Sequence, residues 1–157
     1  VRMNIRTALP ADIPTLAAMR WEFRTEAEHA VPTHNREEFM ASCTAFLQRV
    51  ENNGRWVVWL AEEDGQIISH LYIQIIEKMP NPRTLDPRYG YVTNVYTRPA
   101  YRNQGVGAQL MRQAQSWAEE QGLEMLVLWP SRRSVPFYRR AGFSNSTDVL
   151  VFSIFED

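Results

Sequence analysis

One cysteine, Cys43, is all the thiol that the 157 residues contain, so no disulfide can close within the chain and no thiolate cage for zinc can be built. That scarcity is compatible with a reducing, cytoplasmic setting, which is the expectation here. Excess positive charge is missing as well. Lys and Arg number 17 against 18 Asp and Glu, for a net charge of -1. A general nucleic-acid binder needs a basic surface from which to displace counterions, so that class is excluded. No apolar run approaches the roughly 20 residues that cross a bilayer, and no signal-peptide pattern opens the chain, so no membrane role is expected. The three histidines (His29, His34, His70) lack metal-ligand spacing. They are expected in solvated loops or on the surface, with no metal site.

What is present suits one compact domain spanning 1–157 with a real core, 45% apolar and 22% charged. The element order is mixed. A first strand is read over 2–9, followed by a helix with Asp12 as N-cap that runs through Leu16, Met19, Arg20 and Phe23. A second helix extends from about Asn35 to Val50. Strands over 56–61 and 66–76 flank Asp64-Gly65, a strong two-residue hairpin signal. A loop holding Pro80, Pro82 and Pro87 leads to a strand over 91–97. After a long helix ended by Gly122 come a buried strand over 124–129, a short helix over 134–141 and a last strand over 149–155.

The densest information lies in Arg102-Asn103-Gln104-Gly105-Val106-Gly107. It joins the strand at 91–97 to the long helix, on which Val106, Leu110, Ala114 and Trp117 recur at helical spacing. Glycines there let the backbone approach a ligand, and the first-turn N–H groups point at it with the positive end of the helix dipole. An anion, and specifically a phosphate, fits such a turn. A dinucleotide fingerprint does not, because position 110 is Leu110 and Trp129-Pro130 ends the next strand where an acidic ribose contact would stand. A P-loop fails too, since no Lys-Ser or Lys-Thr follows the glycines. The bland alternative is a tight strand-to-helix turn with no ligand.

The run Asn94-Val95-Tyr96-Thr97-Arg98-Pro99-Ala100-Tyr101-Arg102-Asn103-Gln104-Gly105-Val106-Gly107 resembles the acetyl-coenzyme A motif of the GNAT acetyltransferase superfamily, Gln/Arg-x-x-Gly-x-Gly/Ala. Ser134-Val135-Pro136-Phe137-Tyr138-Arg139-Arg140-Ala141-Gly142-Phe143 is similar to that superfamily's second block, ending in Tyr-x-x-x-Gly-Phe. The resemblance implies an α/β (α+β) GNAT-like fold: a central mixed, mostly antiparallel sheet flanked by helices, with splayed central strands forming a cofactor cleft. It implies a diphosphate on the backbone N–H groups of Asn103, Gln104, Gly105, Val106 and Gly107, pantetheine amides on backbone groups of Val95 and Thr97, and further cofactor contacts at Tyr96 and Arg102. It also implies a β-bulge near 93–95, and Arg98 or Arg102 at the ribose phosphate. Ser134 would contact the cofactor, as would Ser131, which replaces the usual asparagine and offers a hydroxyl in place of an amide.

By the same resemblance the activity is acetyl transfer from acetyl-coenzyme A to a primary amine of a small molecule or peptide, by direct attack in a ternary complex. Tyr138 would protonate or hydrogen-bond the leaving thiolate, and the Val95 N–H would hold the carbonyl oxygen. Two other readings stay open: a protein N-terminal or lysine acetyltransferase, and a non-catalytic acyl-coenzyme A sensor. The general base is open among Glu77, Asp86 and ordered waters. The acceptor would meet Trp21, Glu22, Phe23 and Glu26 of the first helix, with Glu28 following. Glu22 and Glu26, like charges one turn apart, hint at a cationic acceptor, although a solvated face explains them as well. Trp129 and the proline-rich loop would shape the pocket. Cys43 reads as a small buried hydrophobe, and a homodimer is compatible with the sequence.

Overall fold

In the computed structural model, which describes residues 3–26 and 31–155, Asp64 and Gly65 take positive φ (49° and 78°). This is the backbone that a tight two-residue turn requires. It folds β2 (Trp56–Glu63) directly back on β3 (Gln66–Glu77). With β1 (Met3–Thr7), β4 (Arg88–Thr97) and β5 (Leu126–Val127) these strands form one sheet in the order β1-β2-β3-β4-β5. Every pairing is antiparallel except β4 with β5.

Strand alternation sends side chains to two faces, and helices cover both. On one face Leu60, Tyr72 and Tyr96 pack with Leu16 and Met19 of α1 (Ile13–Glu26) and Leu47 of α2 (Arg36–Val50). On the other, Leu71, Ile73 and Val92 meet Leu110, Met111 and Ala114 of α3 (Val106–Glu120), with Phe137 of α4 (Val135–Arg140) beside them. Each fully buried Leu or Ile here stabilises the domain by roughly 1.5–3 kcal/mol. Asn35 caps α2 as expected, accepting from the Glu38 N–H at 2.8 Å while Glu38 accepts from the Asn35 N–H at 3.2 Å. Asp12 behaves differently from the expected cap. It closes a 3-10 turn over Pro10–Asp12, where its carboxylate accepts from the Leu9 N–H at 2.7 Å and pairs with Arg6 at 2.7 Å.

Two features of β4 prepare the site. Thr93 lies opposite Tyr72 and Tyr96 opposite His70, so Asn94 and Val95 share the single partner Leu71. That is the bulge expected near 93–95, and Asn94 absorbs it at φ 52°. The second feature is the splay. β5 pairs with β4 only through Gly90↔Leu126 and Tyr91↔Val127. A Cβ on Gly90 would lie 2.6 Å from Leu126 Cδ2 and 2.9 Å from Ile73 Cγ2, so the strands touch there because a side chain is missing. Past Tyr91 they part.

Two strands read from the sequence are corrected. The apolar run over 124–129 pairs for only two residues, and Trp129 is 68% exposed. Residues 149–155 form no strand, and Leu150 and Phe152 are 97% and 91% exposed. Both runs have side chains that suit a pleated surface, but propensity supplies no partner edge. Among the described residues no helix is long and apolar enough to cross a membrane.

Candidate functional site

The turn after β4 presents bare backbone at the head of α3. Arg102 is extended, Asn103 and Gly105 take φ of 61° and 80°, and Gly105 caps α3 without a side chain to fill the cap. The first-turn N–H groups of α3 thus lack a side-chain acceptor, which leaves them for a ligand. Gln104 braces the turn from outside by donating Nε2–H to the Ala100 carbonyl at 3.1 Å. Val106 anchors the helix start in a small cluster with Ala61 and Ile68. At Gly107 an added Cβ would sit 3.4 Å from the Phe137 ring and 3.6 Å from Thr97 Oγ1. That is ordinary contact range, so α4 packs against the head of α3 with room for a Cβ.

Beside this turn, the β4 edge beyond Tyr91 carries no partner strand among the described residues. Val95 packs against the same buried cluster as Phe137 and Tyr138. The Tyr138 ring contacts those of Phe137 and Phe143, with centroids 5.1 Å and 5.8 Å apart. It is half-buried rather than turned away from that core. Burial pushes its hydroxyl above the ordinary tyrosine range, and among the described residues this hydroxyl makes no hydrogen bond.

Not every side chain read as cofactor-binding faces the cleft. Arg102 turns the other way. Its Nη2 bridges both Glu26 oxygens at 2.9 and 2.8 Å, its Nε donates to the Thr97 carbonyl at 2.9 Å, and its plane covers the Tyr96 ring. Arg98 pairs with Glu22 at 3.4 Å. Glu22 and Glu26 thus pair with two arginines of this chain, the same two read as ribose-phosphate contacts. Their repulsion within α1 is relieved by partners 76 residues away. Tyr96 is buried, stacked on Phe23 with centroids 4.9 Å apart, its hydroxyl donating to Glu26 at 3.3 Å. The Thr97 hydroxyl is bonded to Ser69 Oγ at 2.8 Å. Tyr96 and Thr97 can therefore offer the cleft only main-chain groups.

Ser131 and Ser134 face each other with their Oγ atoms 2.9 Å apart, and Ser134 Oγ–H also donates to the Ser131 carbonyl at 2.9 Å. Since a hydroxyl has one hydrogen, Ser131 is the donor of the first bond. Neither retains a free hydrogen in this arrangement.

On the opposite face a cavity of about 500 Å³ lies between α1, α2 and the sheet. Phe39, Phe46, Trp56 and Tyr72 give it aromatic walls, and Tyr91, Thr93 and Asn94 carry it to the β4 segment where the strands part. Trp129 packs edge-on to Tyr91 at 5.2 Å, but neither it nor the proline-rich loop supplies a lining residue. Glu77 is exposed and Asp86 pairs with Arg88 at 3.0 Å, and neither lines the cavity. Cys43 is a half-buried lining residue whose thiol burial pushes up, the reverse of an activated nucleophile. Trp21 packs on Phe39 behind the wall, and Glu28 lies outside the described residues.

Three residues of this region went unread in the sequence. His70, expected at the surface, is fully buried in β3; His34 is exposed, and His29 lies outside the described residues. Facing the Asn94 carbonyl at 2.8 Å, His70 Nδ1 must carry the proton, and its bare Nε2 has no partner. The imidazole thus pins the bulge. Arg20 continues the apolar series Ile13, Leu16, Ala17 on α1, and Asn94, a poor strand former, sits mid-strand. Those two misfits were the signal available.

Burial drives the His70 pKa down to about 4 from 6.5. The unfolded chain binds the proton first, so stability is complete above pH 6.5 and falls as pH drops toward 4, by about 3 kcal/mol for this group. Asp12 and Glu62, held below the usual carboxylate range by Arg6, act only at lower pH. Urea midpoints measured from pH 7 to 4.5 should decline in the parent and much less in His70→Gln. Equal slopes would remove His70 from this role.

Comparisons with known proteins agree with this geometry. The family model described as acetyltransferase (GNAT) family matches residues 16–143. An uncharacterized N-acetyltransferase, YhfO, of Bacillus subtilis is 25% identical over 97% of each chain. An aminoglycoside N(6')-acetyltransferase type 1 of Acinetobacter haemolyticus is 30% identical over 60% of this chain and 66% of its own. The crystal structure of a predicted acetyltransferase with acetyl-CoA from Clostridium acetobutylicum superposes with a TM-score of 0.81 at 28% identity, covering 97% of this chain and 96% of that one.

Proposed function

Since the chain belongs to the acetyltransferase (GNAT) family, we propose that it moves an acetyl group from acetyl-coenzyme A to a primary amine of a small molecule, by direct attack in a ternary complex. The observation that carries this reading is the gap between β4 and β5 beyond Tyr91, with the bare backbone at the head of α3 at its end. A diphosphate fits the main chain of 103–107, and a pantetheine arm fits the free β4 edge at Val95. Acetyl-coenzyme A supplies the thioester; the remaining work falls to the chain.

Part of that work is removing the amine's proton, a deficit of roughly 4–5 kcal/mol for an alkyl amine at neutral pH. Among the described residues no carboxylate lines the cavity, so its aromatic walls act by disfavouring the ammonium form. Tyr138 then donates a hydrogen bond to the departing sulfur. Full proton transfer from a tyrosine to a thiolate is uphill by about 2 kcal/mol from free values, and burial of Tyr138 raises that further. Transfer is therefore late. The Val95 N–H holds the carbonyl oxygen. A cavity of about 500 Å³ has room for a small acceptor.

A thermal-shift comparison tests the reading, because a ligand of the native state raises its melting temperature. Acetyl-coenzyme A should give a clear rise, and NAD and ATP little. No rise with acetyl-coenzyme A would overturn it.

A further inference from the structure

The cavity that faces the β4 bulge has a charge pattern which the acetyl-transfer reading leaves unused. Its two charged lining residues are both arginines, Arg20 and Arg49. Arg49 is exposed at the rim and lies over the Phe46 ring at 5.6 Å. Arg20 is inside, half-buried, and its guanidinium carries five N–H donors. Among the described residues it makes one hydrogen bond, Nη1 to Asn94 Oδ1 at 3.1 Å, and rests 5.9 Å from the Phe23 ring. The nearby acids are spent elsewhere, Glu22 on Arg98 and Glu26 on Arg102. A half-buried cation beside aromatic walls, with no counter-charge among the described residues, gains from a ligand that brings the charge.

We propose that Arg20 receives a carboxylate carried by the acceptor, so that the acceptor is an amino-acid-like amine whose apolar body lies among Phe39, Phe46 and Trp56. This rests on the acetyl-transfer reading for the identity of the reaction, though not for the binding of the anion. A planar guanidinium with donors to spare matches a carboxylate through paired hydrogen bonds. The half-buried Arg20 balances a monoanion by itself, whereas a phosphate dianion would draw its second counter-charge from Arg49 at the exposed rim. A polycationic acceptor, such as the name of the Acinetobacter relative indicates for that protein, would bring ammonium groups against two arginines with no carboxylate on the wall. Asn94, which holds Arg20 and forms the bulge, places the anion beside the point where the strands part.

The test uses probes of one shape and different charge. 3-Phenylpropionate, 3-phenylpropanol, 2-phenylethyl phosphate and 2-phenylethylamine are titrated into the full chain by calorimetry, in the parent, Arg20→Gln and Arg49→Gln. The acid is expected to bind about 10- to 100-fold more tightly than the alcohol, as suits hydrogen bonds to a charged group. That preference should vanish in Arg20→Gln and persist in Arg49→Gln. A purely structural Arg20, holding only Asn94, would leave acid and alcohol equal in the parent, and that equality overturns the proposal. So does binding of none of the probes, or tighter binding of the amine or the phosphate than of the acid. Thiol release with phenylalanine against phenylalaninamide is the activity arm, with the free acid expected to lead and equal rates counting against Arg20. Failure of acetyl-coenzyme A to bind while 3-phenylpropionate still binds through Arg20 would sink the acetyl-transfer reading and spare the anion site.

Discussion

Tyr138→Phe should release thiol from acetyl-coenzyme A at least about 100-fold more slowly than the parent, the usual contribution of a positioned proton donor. Its affinity for acetyl-coenzyme A should change by no more than a few-fold. The substitution removes only an oxygen that among the described residues has no hydrogen-bond partner. The ring stays packed between Phe137 and Phe143, so the fold should hold or gain slightly. A falling kcat with a steady cofactor Kd isolates a contribution made in the transition state. With its hydroxyl raised by burial, Tyr138 stays protonated throughout the neutral range, so the parent's activity should show no loss from tyrosine ionisation near neutral pH. An unchanged kcat in Tyr138→Phe would reduce this residue to packing.

Gly107→Asp should weaken acetyl-coenzyme A binding by about 100-fold or more, as expected when a charge-assisted hydrogen bond is replaced by like-charge opposition. The carboxylate would stand in the first turn of α3, where the diphosphate is proposed to lie. For the fold that position is benign, since a negative charge at a helix N-terminus is worth about 0.3–1 kcal/mol in its favour. Gly107→Ala is the control. Its Cβ would meet the Phe137 ring at 3.4 Å, an ordinary contact, so stability and affinity should stay near those of the parent. Calorimetric Kd values with acetyl-coenzyme A, read beside melting temperatures without ligand, separate binding from folding. Equal affinity in Gly107→Asp and the parent would move the diphosphate away from this turn.

Local chemistry made the frame of the molecule readable. Asp64-Gly65 dictated a hairpin because few residues accept two successive positive φ values. A helix start was readable near Asn35, and the structure adds the reciprocal bonds with Glu38 that hold it. Gly105 and Gly107 marked an anion turn because only bare backbone can come that close to a ligand. The bulge at 93–95 was expected from the family resemblance alone, and the register of β3 with β4 bears it out. The long-range partners were unreadable. Glu22 and Glu26 sit on one helix face like any solvated pair, and nothing in their spacing names Arg98 and Arg102 as their counter-ions.

By itself the sequence determined the helices, the hairpin at Asp64-Gly65 and the glycine turn at the head of α3, since those outcomes depend on backbone preferences within a few residues. The tertiary structure alone decided which charges remain for a substrate. Packing of distant segments paired two glutamates with two arginines, buried His70 against the Asn94 carbonyl, left residues 149–155 outside the sheet, and set Arg20 beside an aromatic cavity with no ion-pair partner among the described residues. Electrostatic and hydrogen-bond partners are chosen by proximity in space, and that proximity exists only once the sheet and its helices have closed.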